Sequence, residues 1–356
     1  MAGPDPAVAA VRYAVRQALR TLPSQPSQPS QPSQPSDRPE SDNSSSRSAA
    51  SSMSRAPLVL VACSGGADSL ALAAGVAFEA PRVGLRAGAV LVDHGLQQGS
   101  STVARRAADQ CRDLGLDPVV VEQVTVAAVG EGPEAAARQA RYAALDAVAN
   151  RLGAVAVLLA HTRDDQAEQV LLGLARGSGA RSLAGMPSAR GRYLRPLLGV
   201  SRAETEATCT AYRLEPWRDP HNADPRFARV RARAALRDLE VDLGPGLAQA
   251  LARSAELLRD DADLLDSLAA EALSRLDPES VAVSDLAAVP PALRRRVWLL
   301  LAAQAGCGAL TKTHVAALDG LVMAWRGQGP VNLPGRVSAQ RQDGRIVWRQ
   351  GDHISR

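Results

Sequence analysis

The stretch that decides the fold begins with Leu58-Val59-Leu60-Val61-Ala62 and continues, after one cysteine, with Ser64-Gly65-Gly66-Ala67-Asp68-Ser69. Five consecutive apolar residues predict a strand that is buried on both faces of a sheet. The two glycines allow a tight turn that presents backbone amides, and an apolar helical stretch begins at Leu70. A buried strand, a glycine-rich turn and a helix in this order predict the first unit of a parallel α/β sheet.

Strands and helices continue to alternate up to about residue 176. The predicted elements are, in chain order, 87–92 (strand), 102–114 (helix), 118–121 (strand), 134–152 (helix), 155–160 (strand) and 164–176 (helix). We therefore expect an α/β fold, a doubly wound parallel sheet of the Rossmann type with helices on both faces. Ligands of such sheets bind beyond the carboxyl ends of the strands.

Outside this region the composition changes and predicts further segments. Apolar residues from Val8 to Leu19 recur at helical spacing, whereas Ser-Gln-Pro triplets begin at Ser24 and cannot bury apolar surface. A long helix is predicted at 246–276, with five leucines on one side: Leu247, Leu251, Leu258, Leu265 and Leu268. The predicted organisation is an N-terminal amphipathic helix (1–22), a disordered Ser/Gln/Pro-rich tether (23–56), the α/β domain (57–218), a basic linker (219–240), a second, helical domain (241–330) and a short β tail (331–356).

The composition excludes several classes of protein. Of the 41 basic residues Lys312 is the only lysine, and the phosphate-binding pattern G-x-x-x-x-G-K-[ST] is absent. The four cysteines form no C-x-x-C pair, which argues against a zinc ribbon, an iron–sulfur site or a disulfide framework. This cysteine usage and the lack of an apolar run of membrane length predict a cytoplasmic protein without a membrane partner. The net charge of +4 permits a nucleic-acid partner without requiring one.

Loop 64–69 has the groups that bind a polyphosphate. Its glycines let the backbone approach a ligand, Ser64 and Ser69 add hydroxyl groups, and the helix that follows supplies the positive end of its dipole. A carboxylate beside an anion needs a separate explanation. Asp68 therefore either caps the helix or holds a magnesium ion that bridges the phosphates.

A second polar group follows the fourth strand. His161 and Asp165 are four residues apart, and Asp165 and Glu168 are three apart, so all three share one face if the helix extends back to His161. Two carboxylates at a ligand-binding edge suit a cationic amine or magnesium. Thr162 with Asp165 also fits a capping box, which would give these two residues a structural role.

Arginines form two further patterns. Glu134, Arg138 and Arg141 lie at helical spacing, which fits either an ion-paired surface or a phosphate-binding face. Arg229, Arg231 and Arg233 alternate, so in an extended segment they would face one side together, whereas a helix would spread them. Guanidinium groups at these positions suit phosphate contacts, and a solvated basic segment is the structural alternative.

Several of these segments resemble one enzyme family. Loop 64–69 resembles the SGGxDS loop of the PP-loop ATP pyrophosphatases, which cleave ATP to AMP and pyrophosphate. Segments 92–96 (VDHGL), 134–145 (EAAARQARYAAL), 160–186 (beginning AHTRDDQAEQ) and 195–198 (RPLL) resemble the tRNA(Ile)-lysidine synthetases within that superfamily. The resemblance covers residues 59–239, and the helical remainder is only weakly similar. The chain departs from the family pattern at four positions: Gln97, Thr162, Arg163 and Gln169.

The resemblance implies that the chain uses ATP and Mg2+ to join L-lysine to the wobble cytidine of tRNA(Ile) with a CAU anticodon. In the implied mechanism, the cytosine carbonyl oxygen attacks the α-phosphate and releases pyrophosphate, after which the lysine amine attacks the activated carbon and expels AMP. The implied ATP-binding residues are Ser64, Gly65, Gly66, Ala67, Asp68, Ser69, Asp93 and His94. The implied catalytic residues are Asp68, which also faces magnesium, with His161, Asp165 and Glu168, the last two receiving the lysine amine.

The implied tRNA-binding part comprises the helical domain and six arginines: Arg138, Arg141, Arg195, Arg229, Arg231 and Arg233. Two alternatives stay open at this point. One is a PP-loop tRNA enzyme that performs thiolation, which would need a cysteine pair or an iron–sulfur cluster. The other is a nucleotide- and RNA-binding protein without catalysis. A homodimer is compatible with the sequence, which does not fix the oligomeric state.

Overall fold

The computed structural model describes residues 3–22, 56–93, 95, 99–124, 133–177, 179–220, 224–277 and 280–351. The predicted tether falls outside these residues apart from Ala56. The chain divides into two compact units, Met1–Glu256 and Leu257–Arg356. None of the described helices has the length and apolar character needed to cross a membrane.

The first unit contains a six-stranded sheet in the order β3-β2-β1-β4-β6-β5. Its strands are β1 (Leu58–Ala62), β2 (Arg86–Asp93), β3 (Val119–Gln123), β4 (Ala154–Leu158), β5 (Ala189–Arg190) and β6 (Tyr193–Leu194). All neighbouring pairs are parallel except β5 and β6, which form an antiparallel edge. The predicted doubly wound sheet is confirmed. The antiparallel edge was not predicted because strands of two residues show no periodicity.

Helices cover both faces of this sheet. They are α1 (Pro6–Arg20), α2 (Ala67–Glu79), α3 (Ser100–Asp113), α4 (Pro133–Leu152), α5 (Arg163–Ala175), α6 (Ala180–Leu183) and α7 (Arg202–Ala211), with 3-10 turns at Pro81–Val83 and Pro196–Gly199. Alternate residues of β1 enter different cores: Val59 and Val61 join the apolar cluster that includes α1, α2 and α3, whereas Leu60 joins one with Leu145 and Val148 of α4.

The predicted N-terminal helix is confirmed as α1, and it packs against α2 and α7. The predicted apolar positions are buried, as in Val11 and Val15. Gly75 in the middle of α2 allows this close approach, since a Cβ there would lie 2.9 Å from a Val11 methyl carbon. Helix α1 is thus part of the core of the first unit and supports the helix that follows loop 64–69.

The sheet order fixes the position of a ligand crevice. The chain leaves β1 towards β2 and β3 and returns on the opposite side at β4, so the strand order reverses between β1 and β4. Ligands of open α/β sheets bind at such a switch point, outside the carboxyl ends of the strands. Loop 64–69 follows β1 and His161 follows β4. The fold therefore brings the two polar groups predicted from the sequence to the same crevice.

Two helices follow the sheet, α8 (Ala228–Leu243) and α9 (Leu247–Ser274). The extended alternative for the three alternating arginines is wrong, because all three lie on α8. The predicted long helix is confirmed as α9. Its fully buried positions are Ala255, Ala262 and Ala269; four of the five leucines (Leu247, Leu251, Leu258 and Leu265) are half-buried, and Leu268 is exposed. Small side chains let a helix approach its neighbours closely, and leucine spacing alone does not reveal this.

The second unit combines helices with an antiparallel sheet. The helices are α10 (Val283–Ala288), α11 (Pro291–Gln304) and α12 (Lys312–Met323), and the strands are β7 (Ser280–Ala282), β8 (Val331–Leu333), β9 (Val337–Gln342) and β10 (Arg345–Gln350). The sheet order is β7-β10-β9-β8, around a core centred on Trp298. The predicted β tail is confirmed as β8 to β10. Strand β7 was missed because its three residues pair with β10, far along the chain.

Candidate active site

The turn after β1 presents the N-terminus of α2 to the crevice. Gly65 has a φ of +82°, and a Cβ there would lie 3.0 Å from the Cβ of Ala107, so both backbone and space require glycine. Gly66 is the cap residue of α2, and it makes no side-chain hydrogen bond to the first amides of the helix. Uncapped amides at the positive end of a helix dipole favour an anion such as a phosphate.

The two serines of the loop differ in what they contact. The Ser69 hydroxyl donates to the Gly66 carbonyl at 2.9 Å and accepts the Ser64 amide at 3.2 Å. It is buried, and it holds the loop in shape. The Ser64 hydroxyl lies 3.3 Å from that of Ser69, and its residue is exposed. Ser64 is therefore the serine of this loop that can also reach a ligand.

Asp68 does not cap α2. Its Oδ1 accepts a hydrogen bond from the Thr205 hydroxyl, and its Oδ2 lies 3.6 Å from Nε of Arg202. Both partners belong to α7, which crosses the start of α2. Burial raises the pKa of the Asp68 carboxyl, although Thr205 and Arg202 act in the opposite direction. The capping role that the sequence allowed for Asp68 is thus excluded, and its role towards magnesium stays a prediction.

Thr162 and Asp165 form the predicted capping box at the start of α5. The Asp165 Oδ2 accepts the Thr162 amide at 2.8 Å and its hydroxyl at 3.1 Å. The other carboxylate oxygen, Oδ1, lies 3.1 Å from Nη2 of Arg202. Asp165 therefore has a structural role through one oxygen and faces a cation through the other.

Glu168 is a buried carboxylate with one unpaired oxygen. Its side chain is only 2% exposed, and its Oε1 accepts a hydrogen bond of 2.6 Å from Nε of Arg233. Its Oε2 is also buried and has no hydrogen-bond partner among the described residues. A buried carboxylate oxygen without a donor is unfavourable, because the desolvation of the charge is not compensated. Glu168 is therefore prepared to receive a donor from a ligand.

His161 is an uncharged imidazole at neutral pH. Burial lowers its pKa to about 4, with further lowering by Arg195, Arg141 and Arg229, while Asp165 opposes this shift. Its Nδ1 is buried and has no hydrogen-bond partner among the described residues. The site thus contains a second buried polar atom that is ready to contact a ligand.

Arg202 and Thr205 were missed by sequence reasoning, although they connect the predicted residues. Arg202 reaches Asp68, Asp165 and Glu168, with its Nη1 3.7 Å from Glu168 Oε1. We call these three acids the carboxylate cluster. The sequence did contain an indication of the role of Arg202, because Ser201-Arg202-Ala203-Glu204 forms a capping box at the start of α7. It puts an arginine at the positive end of a helix, which is unfavourable unless acids compensate it.

The six predicted arginines have different surroundings in the structure. Arg233 contacts Glu168, whereas Nη1 of Arg231 donates to the carbonyls of Pro225 and Arg226 at 2.8 Å. Arg195 is buried; its Nη1 donates to the Pro187 carbonyl at 3.0 Å, and its Nε has no partner among the described residues.

The remaining three arginines belong to α4 and α8. Arg138 is exposed and lies over the ring of Tyr142, 4.9 Å from its centroid. Burial lowers the pKa of Arg141, and Arg138 and Arg229 lower it further because like charges lie nearby. Arg229 is exposed. Arg141, Arg195 and Arg229 all act on His161, so a positive region adjoins the carboxylate cluster.

Asp93 and His94 follow β2 at the same edge of the sheet. Asp93 is buried, and its Oδ1 accepts the Gly95 amide at 3.0 Å, which shapes the turn. His94 lies outside the described residues, and so does the side chain of Glu134. The predicted contacts of Asp93 and His94 with ATP stay predictions.

The donor set bears on how magnesium could bind. The described residues contain no group of three or more His, Cys, Asp or Glu side chains arranged to hold a metal ion. Mg2+ is commonly bound through one or two carboxylates together with substrate phosphates and water. Asp68, at the start of α2 beside its uncapped amides, fits that mode of binding.

Comparison with known families first defines the class of protein. Residues 41–240 match the family model of the PP-loop domain, and residues 282–347 match that of the TilS substrate binding domain. Among solved structures, U34-tRNA thiolase NcsA from Methanococcus maripaludis with its [4Fe-4S] cluster has a similar fold. The TM-score is 0.53 at 17% identity, over 71% of this chain and 80% of that chain. This likeness concerns the fold alone, which is that of a PP-loop protein.

Curated relatives then define the family. The tRNA(Ile)-lysidine synthase of Streptomyces coelicolor is 57% identical, over 98% of this chain and 100% of that protein. That of Thermobifida fusca is 52% identical, over 98% of this chain and 99% of that protein. The chain belongs to the tRNA(Ile)-lysidine synthase family.

Proposed function

We propose that this chain uses ATP to join L-lysine to the wobble cytidine of tRNA(Ile) with a CAU anticodon. One structural observation carries the proposal most directly. A loop with uncapped helix amides and a buried carboxylate with an unpaired oxygen flank the same switch-point crevice. The first suits the phosphates of ATP, and the second suits the cationic amine of lysine. The names of the curated relatives support the same reaction.

The first step is adenylation of the base. The cytosine carbonyl oxygen attacks the α-phosphorus, and the bond to the pyrophosphate oxygen breaks. Amides at the start of α2 and the Ser64 hydroxyl bind the departing pyrophosphate. Asp68 would hold a magnesium ion, which when bound offsets the negative charge of the phosphates. An anticodon base is accessible because it is not paired in its loop.

The second step is attack by lysine. Its amine forms a bond with the activated cytosine carbon, and the bond to the AMP oxygen breaks. Glu168 receives the ammonium group through Oε2, with Asp165 Oδ1 as the neighbouring acceptor. The amine must lose a proton before it attacks, and the Glu168 carboxylate that holds the ammonium group is the acceptor in contact with it. Arg233 holds the Glu168 carboxylate in its orientation during this step.

The arginines around the crevice suit the tRNA. Arg138, Arg229 and Arg231 are exposed, and they can reach phosphates of the anticodon loop. Arg141 and Arg195 lie closer to His161 and suit a phosphate next to the reacting base. The second unit, which matches the TilS substrate binding domain, would bind another part of the tRNA. We expect this reaction in the cytoplasm, and a homodimer remains compatible with it.

The thiolation alternative finds no support in the cysteines. All four are free thiols, and Cys63 and Cys111 belong to the same apolar cluster. Both are buried, with Cys111 inaccessible to solvent. A thiol that transfers sulfur must be reached by its substrate, and this pair is not.

The test is an assay with purified protein, ATP, labelled lysine and two tRNA(Ile) transcripts that differ only at the wobble base. We expect lysine to be incorporated into the transcript with cytidine and not into the one with uridine. Equal labelling of both transcripts, or none of either, would contradict the proposal. A parallel reaction with a labelled sulfur donor distinguishes ligation from thiolation.

A further inference from the structure

Arg202 is the common partner of the carboxylate cluster. It is the first residue of α7, and its guanidinium faces carboxylates from two other helices, Asp68 on α2 and Asp165 and Glu168 on α5. The distances are 3.6, 3.1 and 3.7 Å in that order. Its side chain is 24% exposed, so it has some access to the crevice.

The position of Arg202 requires a compensating charge. The positive end of the α7 dipole repels a cation, and burial of the guanidinium also disfavours its charge. The three carboxylates outweigh both effects. Conversely, three acids this close together repel one another unless a cation lies between them. Arg202 is thus the counterion shared by the three carboxylates before any substrate arrives.

The same carboxylates are those that the proposed function assigns to substrates. Asp165 has no second oxygen to offer, because Thr162 occupies Oδ2 and Arg202 faces Oδ1. A lysine ammonium therefore finds an unpaired acceptor in Oε2 of Glu168, whereas Asp165 becomes an acceptor for it only after Arg202 has moved. With Arg202 in the observed position, only Glu168 of the two proposed acceptors has an oxygen without a partner, and Asp165 is blocked.

A bound nucleotide offers Arg202 another partner. Asp68 is part of the phosphate-binding loop, so the guanidinium that lies beside it is also within reach of an anion bound there. Phosphate oxygens accept two parallel hydrogen bonds from a guanidinium, which makes them strong competitors for a carboxylate. In this exchange the guanidinium of Arg202 turns from the carboxylates to the phosphates.

We infer that Arg202 is a nucleotide-dependent latch on the lysine site. Without nucleotide it holds the carboxylate cluster; with nucleotide it turns to the phosphates and frees Asp165 for the ammonium group of lysine. This inference rests on the proposed function and adds an order to it, in which the nucleotide prepares the site for lysine. Arg202 is a positioning residue in this account, since its effect on lysine passes through Asp165 and Glu168.

The latch predicts a coupling between the two ligands that can be measured without turnover. Labelled lysine is bound in equilibrium dialysis to the full chain, with and without the magnesium complex of a non-hydrolysable ATP analogue. For the wild type we expect lysine affinity to rise about tenfold with the analogue, which is within the usual range of coupling between sites. The affinity for the analogue must rise by the same factor with lysine, because coupling is reciprocal.

The variant Arg202→Gln removes the latch. We expect it to bind lysine about tenfold more tightly than the wild type in the absence of nucleotide, because a competing cation is gone. It should bind the analogue more weakly, and the coupling should fall below about threefold. Arg202→Lys keeps the charge and should keep part of the coupling. Arg192→Gln is the matched control, since Arg192 pairs with Asp146 outside the cluster, and it should behave as the wild type.

Two results would overturn the latch: wild-type protein without coupling, or Arg202→Gln with the wild-type coupling. A merely structural role for Arg202 would weaken both ligands and leave their coupling unchanged. If Arg202→Gln does not fold, the wild type and Arg202→Lys still decide the question. Failure of the proposed function is distinct, because the wild type would then incorporate no lysine into tRNA whatever the dialysis shows.

Discussion

The two ends of α2 pair a carboxylate with an arginine in opposite ways. At the C-terminal end, the buried Glu79 accepts two hydrogen bonds of 2.8 Å from Arg16 of α1. At the N-terminal end, Asp68 shares Arg202 with two further carboxylates, at longer distances. Their pKa values shift accordingly. The Arg16 hydrogen bond holds the pKa of Glu79 below its ordinary value, whereas burial raises the pKa of Asp68.

The difference separates a structural ion pair from a reactive one. A lowered carboxyl pKa means that the fold favours the charged form, so the charge of Glu79 stabilises the protein. A raised pKa means that the fold disfavours the charge, so the ionised Asp68 is a cost to the fold. Such costs are typical of functional sites, where a ligand later supplies the missing partner. The following variants test this contrast, from the largest expected effect to the smallest.

Asp68→Asn should have the largest effect, and this effect should be on catalytic activity and not on stability. Loss of the proposed magnesium contact should slow tRNA-dependent pyrophosphate release at least 100-fold, which corresponds to about 3 kcal/mol. The free energy of unfolding should stay the same or rise, because the neutral amide avoids burying a disfavoured charge. Pyrophosphate release and urea unfolding provide the two measurements. If the variant releases pyrophosphate at the wild-type rate, Asp68 has no part in the adenylation step.

Glu168→Gln should raise the KM for lysine more than that for ATP. The amide keeps the shape of the side chain but loses a charge-assisted contact, worth about 1.5–3 kcal/mol, or roughly 10- to 100-fold in affinity. Steady-state incorporation of lysine into tRNA, with each substrate varied in turn, measures both KM values. An increase confined to the KM for ATP would assign Glu168 to the nucleotide instead.

Glu79→Gln should reduce the stability of the fold and leave catalytic activity unchanged. We expect the free energy of unfolding at pH 7 to fall by about 1–2 kcal/mol, since the Arg16 guanidinium loses a charged partner but stays partly solvated. Because the pKa of Glu79 is lowered in the folded state, its contribution is present above the ordinary glutamate pKa and is lost as the pH falls. Urea unfolding at pH 7 and pH 4 should show the difference between variant and wild type shrinking at pH 4. A constant difference would mean that charge is not involved.

Arg229→Gln should have the smallest effect, since this arginine belongs to neither end of α2. If it contacts one tRNA phosphate, the slope of log affinity against log salt concentration should fall by about 0.7, with lysine and ATP affinities unchanged. Arg237→Gln is a matched control on the same helix, because Arg237 is also exposed and lies outside the predicted arginine pattern. Equal slopes for Arg229→Gln and the wild type would exclude the phosphate contact.

Local patterns predicted what depends on neighbours in the chain. The apolar run of β1, the glycine turn and the capping box of Thr162 and Asp165 are each determined within a few residues, and the structure confirms all three. The partners of Asp68 could not be predicted in this way. Thr205 is 137 residues away from it, and only the folded sheet brings α7 to the start of α2.

The conformation of the arginine segment was left open by its sequence. The alternating arginines fitted an extended segment, whereas the segment is the helix α8, which buries Ala232 and Leu236, four residues apart. The role of Arg202 likewise emerges only from three carboxylates on other helices. Long-range contacts of this kind leave no trace in the spacing of residues along one segment.

The order of the two chemical steps is the most direct test of the account. The full chain is incubated with tRNA(Ile) transcript, magnesium and ATP labelled at the α-phosphate, first without lysine and then with it. We predict that label becomes attached to the tRNA in the absence of lysine and is released as AMP when lysine is added. Label that never attaches to the tRNA, while lysine is still incorporated, would contradict the adenylated intermediate and the role of the crevice proposed for it.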